Sequence, residues 1–288
     1  RAGAALKRNG NVVLWGNSDY GGYNNTNVVL RDIKAISMGG LAGAALKNNG
    51  NVVLWGYSYY GGSNNTNVDL MDIKAISMGG LAGAALKNDG TVVLWGNLVS
   101  GGRNNTDCDL INVRDISMGR RGGGAALKND GSVVFWGNFN EYNIVDNNCE
   151  RISPFITTTS TRPTTTSTTT RPTTTSTTTR PTTTTTLGPI QGMSPISIGG
   201  YAGAVLKSDS SVVLWGKSES GGYNNTNVNL RDIKAISMGG HAGAALKKNG
   251  TVVLWGNSDY GGSNNTNVEL SDIKAISMGG YAGAALKN

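Results

Sequence analysis

The sequence predicts an all-β fold, a β-propeller of six to seven blades built from units of about 40 residues. The motif Val-Val-Leu/Phe-Trp-Gly recurs along the chain, and the steps between its tryptophans are 40, 40, 41, 79 and 40 residues. An Asn-Gly or Asp-Gly pair separates two short apolar runs in every unit except one, which is a strong signal for a β-hairpin. The Val-Val-Leu-Trp runs favour a pleated, packed surface. The tryptophans are Trp15, Trp55, Trp95, Trp136, Trp215 and Trp255.

Each unit contains three apolar segments. In the unit of Trp95, DIKAISMGG (residues 72–80) leads into LAGAALK (81–87), and TVVLWG (91–96) follows a turn. Alanine and leucine favour helices, but six residues between a glycine pair and a hairpin turn are too few for a helix. We therefore expect AGAALK to be a strand. Because its side chains are small, we expect it to be the inner strand, closest to the propeller axis.

A threonine-rich tract interrupts the repeats. Residues 157–186 contain only threonine, serine, arginine and proline, so they have no apolar side chain to bury. Proline-spaced threonines are typical of O-glycosylated stalks, and an unmodified flexible linker is the alternative. The predicted organisation is propeller repeats over 1–156, an extended Thr/Pro-rich segment over 157–189 and propeller repeats over 190–288, with the tract in place of one unit. The candidate O-glycosylation sites are Thr164, Thr165, Thr166, Ser167, Thr168, Thr169, Thr170, Thr173, Thr174, Thr175, Ser176, Thr177, Thr178, Thr179, Thr182 and Thr183.

Asn-x-Thr triplets recur in the loops. N-glycosylation needs this triplet on an accessible loop of a secreted chain. Five of the triplets hold the same loop position, so a turn copied by duplication is one alternative, and binding of a cation or sugar by the amides is another. The candidate N-glycosylation sites are Asn24, Asn64, Asn104, Asn224, Asn249 and Asn264.

Cys108 and Cys149 each lie 13 residues after a tryptophan, so they hold equivalent places in consecutive units. Their matched positions and even number predict a disulfide in a secreted chain, although sequence cannot establish the required distance between their Cα atoms. A metal site is not expected, because histidines are absent nearby.

Catalytic chemistry is not apparent. His241 stands where other units have leucine or tyrosine, which indicates a rim or interface position rather than a catalytic base. No nucleophile, phosphate loop or carboxylate pair stands apart from the repeat. We therefore expect no enzyme activity, cofactor or metal. The net charge of +7 is spread around the repeats and the tract, so it does not predict a nucleic-acid face. No apolar run approaches the roughly 20 residues of a membrane helix.

Residues 77–96, SMGGLAGAALKNDGTVVLWG, resemble the repeat of the regulator of chromosome condensation family. The resemblance covers all of the chain except about 157–189 and implies a β-propeller, with chromatin or GTPase binding for some members. Two features depart from the family. Its loop after Trp-Gly is replaced by Gly-Gly-x-Asn-Asn-Thr, and alanine stands where the family often has histidine, at Ala42, Ala82, Ala202 and Ala242.

These features favour an extracellular or cell-surface protein, glycosylated and structural or adhesive. AGAALK occurs at both ends, over residues 2–7 and 282–287. Such ends are expected of a piece of a longer repeat protein, or of a subunit that pairs head-to-tail with copies of itself in a fibre. A propeller module that binds a protein or glycan is the second hypothesis. An intracellular chromatin-binding or exchange-factor propeller is the third.

Overall fold

The computed structural model describes residues 2–24, 28–64, 67–102, 108–137, 151–152, 195–224, 227–264 and 267–287. These residues form seven antiparallel sheets, so the prediction of an all-β fold is confirmed. The strands, grouped by sheet, are β1 (Ala2–Leu6) and β2 (Val12–Gly16); β3 (Ile33–Met38), β4 (Ala42–Lys47) and β5 (Val52–Gly56); β6 (Ile73–Met78), β7 (Ala82–Lys87) and β8 (Val92–Gly96); β9 (Val113–Met118), β10 (Gly124–Lys128), β11 (Val133–Trp136) and β12 (Arg151–Ile152); β13 (Ile196–Ile198), β14 (Ala202–Leu206) and β15 (Val212–Gly216); β16 (Ile233–Met238), β17 (Ala242–Lys247) and β18 (Val252–Gly256); β19 (Ile273–Met278) and β20 (Gly283–Lys287).

The AGAALK segment is the middle strand of its sheet, so the prediction that it is the inner strand is wrong. The strands nearest the axis are those of the IKAISM type, because they contact their counterparts in the neighbouring sheets. The Met78 N–H donates to Ser37 Oγ at 2.8 Å, and the Met118 N–H donates to Ser77 Oγ at 2.9 Å. A middle strand has both of its edges paired, and its small side chains let sheets approach each other on both faces.

Alternate residues of each middle strand pack against different sheets. On β7, Ala84 and Leu86 pack with Val113 of the fourth sheet, whereas Ala85 packs with Leu46 of the second. All four of the residues from β7 and β4 are at most 1% exposed. The hydrophobic core is therefore a series of layers between successive sheets.

The repeated tryptophan joins the second, third and sixth sheets to the unit that precedes each of them. Trp95 is fully buried, and its Nε1 donates to the carbonyl of Gly61, in the loop that follows the preceding sheet, at 3.1 Å. Its ring lies against Gly83, where a Cβ atom would stand 2.3 Å from Trp95 Cζ2. The glycine of AGAALK is therefore required by the close approach of the indole, which explains why the two residues recur together.

The fourth and fifth sheets are direct neighbours. The Ile198 N–H donates to Ser117 Oγ at 2.9 Å, and the Arg120 N–H donates to the carbonyl of Gly199 at 3.3 Å. Residues 153–194 therefore connect two adjacent blades, and the prediction that the tract takes the place of a unit is wrong. The segment 157–189 and all of its candidate O-glycosylation sites lie outside the described residues.

Candidate binding face

The two ends of the sheets carry different kinds of turn. One end, here called the turn face, combines the turns between first and second strands with the short helical turns that follow the third strands. Backbone hydrogen bonds hold these together, as from the Asn97 N–H to the Leu81 carbonyl and from the Asn257 N–H to the His241 carbonyl, both at 3.0 Å. The turn face consists of residues 39–41, 79–81, 119–123, 199–201, 239–241 and 279–281 with residues 17–20, 57–60, 97–102, 217–220 and 257–260.

The opposite end, here called the hairpin face, carries the Asn-Gly and Asp-Gly turns. Lysine, asparagine and aspartate predominate there, and Lys87 pairs with Asp69 at 2.6 Å. The turn face instead exposes aromatic side chains. Tyr57, Tyr59 and Tyr281 are 51%, 58% and 52% exposed. Because protein interfaces are enriched in tyrosine and arginine and depleted of lysine and aspartate, the turn face has the composition of a binding surface.

The fourth sheet departs from the repeat at this face. Its turn contains Arg120 and Arg121, whereas the equivalent turn of the third sheet contains Gly80 and Leu81. The turn is one residue longer, which accounts for the 41-residue step between tryptophans. Gly122 and Gly123 follow with φ of 98° and 91°, a left-handed backbone that favours glycine. The longer turn therefore places two adjacent arginines at the end of the axis.

Aromatic side chains from three further sheets meet these arginines. The Arg121 guanidinium lies 4.1 Å from the ring centroid of Tyr201, a cation–π distance. The Tyr201 and His241 rings are 5.0 Å apart, and the His241 and Tyr260 rings are 4.6 Å apart. The ring centroids of Tyr260 and Tyr281 are 5.4 Å apart. Together with Arg120 and Lys217, these residues are here called the cationic aromatic cluster.

Arg120 contacts the aromatic residue at the far end of the cluster, on the other side of the axis. Its guanidinium is 5.8 Å from the ring centroid of Tyr281, in the seventh sheet. A Cβ atom on Gly280 would lie 1.9 Å from Arg120 Nη1, so the guanidinium also packs on the backbone there. The fourth and seventh sheets are not consecutive, and the contact shows that the row of sheets curves around a central opening.

His241 titrates in a positively charged setting. Burial lowers the pKa of its imidazole, and the charges of Arg121, Arg120 and Lys217 lower it further, whereas Glu219 opposes them. Ser220 Oγ lies 3.3 Å from His241 Nδ1. His241 is half-buried between aromatic rings, which agrees with the rim or interface position that its sequence context predicts.

We expect an NMR titration of His241, the single histidine of the chain, to give a pKa below the ordinary value of about 6.5. The folded chain then binds this proton less readily than the unfolded chain. The contribution of His241 to the free energy of unfolding should therefore be constant above about pH 6.5 and decline as the pH falls from there towards the folded pKa. Arg121→Gln should raise the pKa, and Glu219→Gln should lower it. A wild-type pKa at or above 6.5 would contradict the arrangement.

The chain is similar to known proteins in its structure. Neither a scan of protein-family models nor a search of curated proteins found a match. Among solved structures, yeast RCC1 (Prp20) bound to Kap60 is similar with a TM-score of 0.65 at 15% identity, covering 100% of this chain and 78% of that one. Prp20p from Saccharomyces cerevisiae has a TM-score of 0.66 at 15% identity, covering 100% and 81%. The fold is an RCC1-type β-propeller.

A similar fold occurs in the ectodomain of a receptor kinase. The ectodomain of the Physcomitrella patens receptor kinase CR4 is similar with a TM-score of 0.64 at 16% identity, covering 99% of this chain and 67% of that one. At such identities the likeness shows the fold alone. The resemblance that the sequence motifs indicated is thus confirmed for the architecture.

The asparagine loops of this RCC1-type propeller have a structural role. Asn64 Nδ2 donates to the Val68 carbonyl at 2.7 Å, and its Oδ1 accepts from the Val68 N–H at 3.1 Å. The same pair of hydrogen bonds recurs at Asn24, Asn224 and Asn264. These amides therefore fix the loop, which accounts for their repetition without a glycan, and glycosylation there stays a prediction.

The remaining candidate sites lie elsewhere. Asn249 is exposed in a hairpin turn, where its Oδ1 accepts from Thr251 Oγ1 at 2.8 Å. Cys108 is disulfide-bonded. Asn104 and Cys149 lie outside the described residues, so the predicted pairing of the two cysteines stays a prediction.

The part of the chain that the structure describes holds neither a candidate metal site nor a membrane-spanning helix. No group of three or more His, Cys, Asp or Glu side chains is placed to hold a metal ion there. None of the helical segments in that part is long and apolar enough to cross a membrane.

Sequence reasoning missed the cationic aromatic cluster of the propeller. Its residues come from four different sheets, so no single repeat contains the cluster. The sequence does contain one signal for the cluster, the 41-residue step between Trp95 and Trp136. The residue that lengthens this step accompanies the only Arg-Arg pair in the chain. The proximity of Tyr281 to Arg120 depends on the curvature of the row of sheets, which the sequence does not reveal.

Proposed function

We propose that this propeller is a non-enzymatic module that binds a protein partner with its turn face. The observation that carries the proposal is the concentration of exposed tyrosine at one end of the molecule, together with the adjacent Arg120 and Arg121 there. Tyr57 and Tyr59 contact Tyr60 at 5.2 and 5.3 Å between ring centroids, so they form a preorganised aromatic patch. Preorganised aromatic side chains contribute large contact area at low entropic cost, and interface hot spots are enriched in Tyr and Arg.

The similar propellers support binding of proteins rather than small molecules. The partners named for yeast RCC1 (Prp20) and Prp20p are Kap60, Gsp1p and histones, all of which are proteins. Two grooves that border β1 and β2 are lined by ordinary repeat residues such as Val12 and Asn48, and they bring no unusual chemistry together. The turn face is thus the best supported binding surface.

Site-specific photocrosslinking tests this function. A benzoylphenylalanine at Tyr59 should crosslink the protein to a partner in cells of the natural source, because that side chain belongs to the patch and is 58% exposed. The same residue at Asn49, which is exposed on the hairpin face, is the control. Crosslinks to a defined protein from Tyr59 and not from Asn49 support the proposal. Crosslinks only from Asn49, or none from Tyr59, contradict it.

We also propose, as a second and independent role, that the protein is extracellular and glycosylated and acts as a structural or adhesive element. Residues 153–194 join two blades that already contact each other, so glycans on this segment would leave the packing between those blades intact. The similar CR4 propeller is an ectodomain. Head-to-tail assembly with copies of itself is part of this proposal.

Intact-mass measurement and electron microscopy of material from the natural source test the second role. A mass above the 29.9 kDa of this sequence by the increments of sugar residues is expected, together with filaments. An unglycosylated mass would contradict the extracellular role, and discrete particles at high concentration would contradict fibre assembly.

A further inference from the structure

The cationic aromatic cluster has features that the propeller fold does not require. In the second and third sheets the same turn positions hold Leu41 and Leu81, so these blades pack with an ordinary apolar side chain. Arg120 and Arg121 result from a one-residue insertion confined to the fourth sheet. Both arginines are exposed on the turn face, which indicates a role in contact with something outside the chain.

The charge of the cluster is predominantly positive. Arg120, Arg121 and Lys217 surround the aromatic rings, and Lys217 Nζ lies 5.0 Å from the ring centroid of Tyr201. Glu219 is the carboxylate that acts on His241 from the same turn as Lys217. Asp259 directly precedes Tyr260 in the sixth sheet and is exposed. Among the described residues, three cations thus face two carboxylates, and Arg120 and Arg121 are adjacent in the sequence.

The aromatic rings restrict the orientation of the charged side chains. Tyr201 and His241 are tilted by 41° to each other, and His241 and Tyr260 by 40°, so the rings form a continuous half-buried surface. Cation–π contacts hold each arginine against a ring and limit the conformations of its side chain. Guanidinium groups held in this way present paired N–H donors to carboxylates, and tyrosine hydroxyls add further donors.

We propose that the cationic aromatic cluster binds an extended acidic segment of a partner protein, with several Asp or Glu carboxylates along its length. The cluster spans four sheets, from Arg121 through Tyr201 and His241 to Tyr281, which is longer than a single carboxylate needs. Arg120 and Arg121 bind carboxylates, and the rings pack against the aliphatic parts of the segment. This inference rests on the proposed function and names the chemistry of its partner.

The single histidine provides a direct measurement of binding. A peptide of six glutamates flanked by glycines should shift the His241 resonances and saturate, and a six-glutamine peptide of the same length should not. Because negative charge beside an imidazole favours its protonated form, the bound peptide should also raise the pKa of His241. Binding should therefore tighten as the pH falls, and added salt should weaken it.

Two double variants with equal charge change test the location. Arg120→Gln/Arg121→Gln should weaken binding of the glutamate peptide by about tenfold or more, because it removes the fixed guanidinium donors. Lys34→Gln/Lys74→Gln removes two exposed charges from the hairpin face and should leave the affinity within about twofold, as expected for distant screened charges. Melting temperatures of both variants show that the propeller remains folded.

Several results would overturn the proposal. Equal weakening by the two double variants would show non-specific attraction to net charge. Binding of an oligoglucuronate at the cluster without binding of the glutamate peptide would assign the site to an acidic glycan instead. Absence of peptide binding together with crosslinking from position 59 would refute this inference and leave the protein-binding function standing. Peptide binding at the cluster without crosslinking from position 59 would contradict the proposed protein-binding function and leave only the recognition of carboxylates by the cluster standing.

Discussion

Trp95→Ala is expected to lower the free energy of unfolding by about 3–5 kcal/mol. The indole is fully buried between the second and third sheets, and its Nε1 donates to the Gly61 carbonyl at 3.1 Å. Truncation therefore creates a cavity and leaves a carbonyl without its donor. Urea denaturation of the full chain, followed by circular dichroism, measures the change.

The repeat supplies a matched control for this prediction. Trp15 holds the same position in the first sheet but is 54% exposed. Trp15→Ala should cost about 1 kcal/mol or less, because little buried surface is lost. Similar losses for the two substitutions would show that the tryptophan acts within its own hairpin, and not through packing between sheets.

Gly199→Ala is expected to destabilise the propeller by about 3 kcal/mol, at the upper end of the cost of overpacking. The added Cβ would stand 1.9 Å from the carbonyl oxygen of Gly239, in the next sheet. Because the obstacle is backbone, it cannot swing aside, and relief requires the fifth and sixth sheets to separate. That movement would break the hydrogen bond from the Gly200 N–H to the Gly239 carbonyl, which measures 3.0 Å.

Gly279→Ala is the control for the glycine substitution. It holds the equivalent position in the seventh sheet, where an added Cβ would meet only the Ala282 carbonyl oxygen, at 3.1 Å, among the described residues. Its effect on the thermal midpoint should be small. A thermal midpoint that falls equally in the two variants would contradict the role assigned to the contact between sheets.

The architecture could be predicted because each repeat encodes its hairpin locally. Asn-Gly and Asp-Gly pairs select the turn, and Val-Val-Leu-Trp selects the strand. The order of strands within a blade could not be read in this way. The small side chains of AGAALK suit an inner strand and a middle strand equally, and only the contact of Ser37 Oγ with the Met78 N–H shows that the first strand lies at the axis.

The other features that the sequence did not predict depend on how the units are arranged relative to one another. The period of 40 residues by itself determined that the chain is a row of similar three-stranded units and that the tract at 157–189 stands apart from them. Only the tertiary structure decided that the tract connects adjacent blades, and that Arg120 meets Tyr281 across the central opening. The physical reason is that strands and turns depend on neighbours along the chain, whereas the curvature of stacked sheets accumulates over many units. It brings together side chains that no local pattern relates.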